Sequence, residues 1–159
     1  MMKLSVAILF LVSAAAHADV DAYFATGVLE VPWGASVQQT RAAHPGGMVW
    51  PNRNYNADEG HIYEAVGEFR PLGLNHPARH VQFIFSRDDK LIRVSIHLPY
   101  ADRDEVLYGM AQVLGQDYEV RDEKFSRIYS WKAGRHSDVE LVISNDPSRP
   151  WAYLYVRGR

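Results

Sequence analysis

Cysteine is absent from all 159 residues. That excludes thiol chemistry, cysteine-ligated metals and disulfides, so the fold rests on its core alone. It also excludes acylation of the bacterial lipoprotein kind, which needs a cysteine at the cleavage point, so no lipid anchor is expected. A basic excess is missing too: 17 Lys and Arg stand against 19 Asp and Glu, a net charge of −2. A nucleic-acid partner would call for a basic face to neutralise phosphates, and none is expected here. The Gly-x-Ser-x-Gly elbow, a Ser-x-x-Lys pair, a phosphate loop and a dinucleotide fingerprint are all lacking, which leaves no enzyme class and no cofactor to nominate.

Long apolar runs are confined to the beginning. Lys3 is followed by the short run Leu4 to Val12, then by Ala14, Ala15, Ala16 and Ala18. A positive start, a short apolar stretch and small residues describe a secretory signal over residues 1–18, with Ala16-His17-Ala18 as its cleavage site. No apolar stretch of spanning length remains beyond it, so no transmembrane segment is expected. Cleavage would leave 141 residues from Asp19, enough for one domain with a substantial core, free in the periplasm or secreted.

Along that domain, Gly27 to Val31 reads as a short strand and Pro32-Trp33-Gly34 as a turn. Ser36 with Gln39 forms a capping box that opens a helix over Val37 to Ala43, stopped at His44-Pro45-Gly46-Gly47. Met48 to Gly60 reads as an irregular loop, and His61 to Phe69 as a strand. His80 to Ser86 alternates, with Val81, Phe83 and Phe85 on one face. After the turn Arg87-Asp88-Asp89-Lys90, the strand Leu91 to Leu98 alternates again, with Ile92, Val94, Ile96 and Leu98 inward. Asp102 caps a second helix with Glu105 closing its box, and Val106, Leu107, Met110, Val113 and Leu114 form its apolar stripe. Strands follow near Tyr118 to Arg121, Ile128 to Lys132, Val139 to Ser144 and Trp151 to Arg157. The pattern predicts an α+β domain over 19–159: an antiparallel sheet with two helices on one face. It is built from two helix-plus-strands units, about 27–98 and 102–157.

The step Val31-Pro32-Trp33-Gly34-Ala35-Ser36, with the hairpin that follows, resembles small exported bacterial proteins of the outer-membrane assembly lipoprotein (SmpA/OmlA) or β-lactamase-inhibitor-like fold. Such proteins open with a strand, a Trp-Gly step, a capped helix and an antiparallel sheet, and the inhibitor-like members carry the unit twice. The resemblance implies a non-catalytic module whose sheet face or loops bind another protein. The acyl cysteine of the one group and the disulfides of the other are not present in this chain.

Candidate chemistry is sparse. His76 and His80 are four apart, but Pro77 between them breaks a helix and no carboxylate stands at metalloprotease spacing. Asn52, Asn54, Asn56 and Asp58 mimic a calcium loop, yet Ala57 replaces the sharp-turn glycine and Tyr63 the bidentate glutamate, so no metal is expected. Asp88 and Asp89 suit a turn, and Asp102, Asp104 and Glu105 suit a helix N-terminus. Trp33 reads as a core plug.

The aromatic residues of the second half are more telling. Trp151, Tyr153 and Tyr155 alternate with Ala152, Leu154 and Val156. If the aliphatic set faces the helices, the rings form an outward ladder; if not, the rings are the core. Alternation alone does not choose. The first arrangement nominates Tyr129, Trp131, Trp151, Tyr153, Tyr155 and Arg149 as a protein-binding surface, since exposed Trp, Tyr and Arg anchor interfaces. The expectation is a non-enzymatic exported protein that binds another protein in the cell envelope, of inhibitor, immunity or assembly-accessory type. A small cell-wall or glycan hydrolase, or a glycan-binding module, is the alternative.

Overall fold

A computed structural model of the chain describes residues 20–51, 58–73, 77–98, 103–131 and 134–159. The signal over 1–18, His76, Lys132, the Asp102 cap and the asparagines of the calcium-like run lie outside the described residues. Among the described residues the fold is mixed α and β, with three α-helices and mostly antiparallel strands. Helix α1 spans Val20–Phe24, and the two-residue strands β1 (Gly27–Val28) and β2 (Val31–Pro32) form a small ribbon. Helix α2 (Val37–Ala43) precedes β3 (Met48–Pro51), β4 (Glu59–Phe69), β5 (Ala78–Ser86) and β6 (Leu91–Leu98). Helix α3 (Arg103–Leu114) precedes β7 (Tyr118–Asp122), β8 (Ser126–Trp131), β9 (Ser137–Ser144) and β10 (Ala152–Gly158). The eight strands β3 to β10 form one sheet, in the order β3-β4-β5-β6-β10-β9-β8-β7. Two four-strand meanders thus meet at the antiparallel pair β6–β10, where Leu154 lies opposite Ile96 and Tyr153 opposite His97.

One hydrophobic core organises these elements. Its sheet residues share one parity: Val81, Phe83 and Phe85 of β5, Val94, Ile96 and Leu98 of β6, and Ala152, Leu154 and Val156 of β10. Val20 and Phe24 of α1 and Val106, Met110 and Leu114 of α3 belong to the same cluster. The α3 stripe therefore docks as its 3.6-residue period demands, with Leu107 and Val113 packed at its margin. Ile84, Val142 and Ile128 have the opposite parity and are buried apart from that cluster.

Local chemistry explains most boundaries. Ser36 Oγ accepts from the Gln39 amide and Gln39 Oε1 from the Ser36 amide, completing the capping box. A second cap comes from far away: Asp89 Oδ1 accepts the Val37 amide at 3.0 Å. Gly34, at φ 78, lets the chain turn so that its amide bonds Leu91 O and Leu91 N returns to Ala35 O. Trp33 is half-buried against the core and donates Nε1–H to Phe24 O. A side chain on Gly158 would meet its ring at 2.6 Å, so glycine is required at that contact.

Several sequence expectations need correction. Two helices were expected and three α-helices are present among the described residues; α1 escaped notice because it is only five residues long and has no periodic signature. Gly27 to Val31 is not one strand: Leu29 and Glu30, at φ 51 and 66, turn the chain between β1 and β2. Met48 to Gly60 is not wholly loop, since Met48–Pro51 pairs with β4, which already begins at Glu59. In β6 the inward residue is Leu91, not Ile92. A register shift between Ile84 and Phe85 places Phe85 opposite Leu91, and this irregularity reverses the alternation there.

Candidate functional site

The face of the sheet opposite the core holds a contiguous group of aromatic and polar side chains. Strand β10 decides it. Ala152, Leu154 and Val156 are completely buried in the core cluster that residues of α1 and α3 also join. Strand alternation then sends Trp151, Tyr153 and Tyr155 to the other side, where each is half-buried. Trp151 and Tyr153 have ring centroids 5.6 Å apart, and Tyr153 stacks on Tyr155 at 5.8 Å. Across the β6–β10 pair, His97 stacks on Tyr153 at 4.8 Å with an interplanar angle of 18°.

These rings wall a shallow depression of about 430 Å³. Its floor is apolar, made by Ile62, Ile84 and Val142, and Gln82, Ser95 and Arg93 supply its polar groups. Arg93 donates from Nη2 to Glu59 Oε1 at 2.8 Å, and the Glu59 side chain is 1% exposed. The Arg93 guanidinium carbon also lies 6.0 Å from the Tyr155 ring, while among the described residues its buried Nε finds no hydrogen-bond acceptor. Glu59 thus neutralises the cation nearest the ladder, so the face is amphipathic rather than strongly charged. A second hollow, of about 560 Å³, lies beyond Tyr155 toward Ser130, Asp138, Glu140 and Arg157.

Burial and neighbours set the titration of this face. Burial pushes the Tyr155 phenol up, and the neighbouring Tyr153 adds to it; Arg93 and a hydrogen bond with Ser95 pull the other way. Burial holds the His97 imidazole below its ordinary range, and the adjacent His80 reinforces this by repulsion between the charged forms. His80 in turn faces Glu64, Nδ1 to Oε1 at 3.4 Å.

The six nominated residues separate into three groups. Trp151, Tyr153 and Tyr155 stand together on the outer face. Arg149 is exposed in the turn before β10, which is held by Ser144 Oγ donating to Arg149 O and by Asp146 Oδ1 accepting the Ser148 amide. Tyr129 and Trp131 lie on the opposite face, paired with Leu141 and Val139. Trp131 is 3% exposed and donates Nε1–H to Gly115 O at the end of α3, so it belongs to the core and is withdrawn from the surface set. Tyr129 packs beside it against Tyr118. Sequence reasoning missed His97, Arg93 and Glu59. Arg93 and His97 were visible as the polar parity of β6, but only the β6–β10 register shows that they meet the ladder.

Among the described residues no cluster of three or more His, Asp or Glu is placed to hold a metal ion. No described helix is long and apolar enough to cross a membrane. Comparison with known protein families, characterised proteins and solved structures finds no match to this chain.

Proposed function

We propose that this chain is an exported, non-catalytic protein that binds another protein of the cell envelope. It does so through the outer face of its sheet and the turns beside it. The observation that carries this reading is the sorting of β10: its aliphatic residues fill the core, and Trp151, Tyr153 and Tyr155 remain half-exposed over an apolar floor. Partly exposed aromatic residues around a neutralised arginine have the composition of interface anchors. In this reading the helices shield the core side only, and the repeated order of a helix and four strands makes two tandem units. That arrangement accords with the inhibitor-like and assembly-protein resemblance, and the partner is a hydrolase to be inhibited or a complex to be assisted.

Ring geometry favours a protein over a glycan. Sugar stacking needs an open aromatic face, but Tyr153 is stacked on His97 and on Tyr155. Carboxylate placement favours binding over hydrolysis. Glu64 and Glu140 are four strands apart, roughly 19 Å at ordinary strand spacing, beyond the reach of a glycosidase pair. Asp138 and Glu140 are closer, but both Asp138 oxygens are held by Arg159.

A photo-crosslinking amino acid at position 153, compared with one at exposed Tyr108 of α3, tests the reading in intact cells. A discrete adduct from position 153 and none from position 108 is the expected outcome. Adducts from position 108 alone, or turnover of peptidoglycan by the purified protein, would overturn it.

A further inference from the structure

The two edges of the sheet differ in kind. Strand β7 closes one edge with Glu119, Arg121 and Asp122 exposed, the charged pattern by which edge strands resist pairing. Strand β3 closes the other with Met48-Val49-Trp50-Pro51, which carries no charge at all. Met48, Val49 and Trp50 are 55%, 41% and 46% exposed, and Val66, just past the end of β3 on β4, is exposed as well. Among the described residues nothing pairs with the outer side of β3. This edge does not depend on the binding face proposed above.

We propose that β3 is a self-association edge whose occupant is the β3 strand of a second copy of this chain, paired antiparallel about a two-fold axis at Val49. The register is self-complementary. Met48 lies opposite Glu64 and Trp50 opposite Ile62, so both belong to the outer face, and Val49, opposite core residue Tyr63, has the other parity. A two-fold axis at Val49 sets each Met48 against the other copy's Trp50, on the same face, and Val49 against itself. Two methionine–aromatic contacts result, and no like charges meet. The apolar row Ile84-Ile62-Trp50 is then extended by the other copy's Met48, beyond which its Glu64 follows.

The pairing is also self-limiting. Pro51 has no amide to donate, so the strand ends there, and an isologous contact closes at two copies without forming a fibre. Four residues bury little area, so the dimer is weak and concentration-dependent.

Sedimentation of the mature chain from about 10 µM to about 1 mM tests this. The expected result is a reversible monomer–dimer equilibrium that Trp50→Lys weakens at least about tenfold and that Val120→Lys, on the opposite edge, leaves unchanged. Exchange slows, as concentration rises, at the β3 amides that point away from β4. Met48→Lys carries the same prediction if Trp50→Lys fails to fold, which thermal melts will show. A chain that stays monomeric to about 1 mM, or a dimer indifferent to both β3 variants or equally weakened by Val120→Lys, would overturn the proposal.

Discussion

Replacing Leu154 by alanine, beside a parallel replacement of Tyr153, asks directly which face of β10 is the core. Leu154 is wholly buried between Ile96 and Leu141, in the core cluster that residues of α1 and α3 also join. Removing its branched end from so enclosed a site leaves a cavity, and such changes cost about 2–5 kcal/mol. For a domain of this size the unfolding entropy is about 0.3 kcal/mol per degree, so a loss near 3.5 kcal/mol lowers Tm by about 12 °C. Tyr153→Ala instead forfeits stacking on His97 and Tyr155, each contact worth about 0.5–1.5 kcal/mol, in a half-exposed setting. A drop of about 5 °C is expected. Thermal melts followed by circular dichroism, with urea titrations at constant slope to confirm two-state unfolding, measure both. If Tyr153→Ala destabilises as much as Leu154→Ala, the face assignment is wrong and the ladder is core.

Three further outcomes follow from the geometry. Burial would raise the Asp21 carboxyl, but the His136 and Arg135 amides and the Ser137 hydroxyl outweigh it and hold the group below its ordinary range. Its stabilising effect is therefore complete above the ordinary carboxylate pKa and lost as pH falls through the lowered one. Asp21→Asn should flatten the acid limb of a Tm–pH profile, and an unchanged limb would contradict the clamp. His97 is held low by burial and by His80, so it favours folding fully above the ordinary imidazole pKa and loses this effect as pH drops below it. Imidazole proton NMR should show His97 titrating below the ordinary imidazole range, and His80→Gln should bring it part of the way back. Asp89 sits at φ 55, where glycine would ease the turn, yet its carboxylate caps α2. Asp89→Gly should therefore destabilise by about 1 kcal/mol in urea titrations; a gain would mean that the turn alone matters.

How far the chain could be read in advance varies with the range of the forces involved. The Ser36–Gln39 box and the stripe of α3 were legible because cap and stripe act within a few residues. The hairpin of β5 and β6 was legible for the same reason, except at Leu91, where a bulge set by pairing with Phe85 reverses the alternation. The role of Asp89 was hidden because its partner, Val37, is 52 residues away. Strand β3 was hidden because four exposed residues beside an asparagine-rich run carry no alternation between buried and solvated sides.

The alternation of rings and aliphatics in β10, the α+β character and the cysteine-free composition were determined by the amino-acid order alone, because each is a local property of the chain. Tertiary structure decided which half of that alternation meets water. It placed Trp131, the last residue of β8, inside and Trp151, just before β10, outside, because β8 turns its tryptophan toward the end of α3, where Gly115 O accepts its Nε1–H. Face selection depends on which volumes fill the shared core, and that core is complete only once the two meanders have joined at β6 and β10.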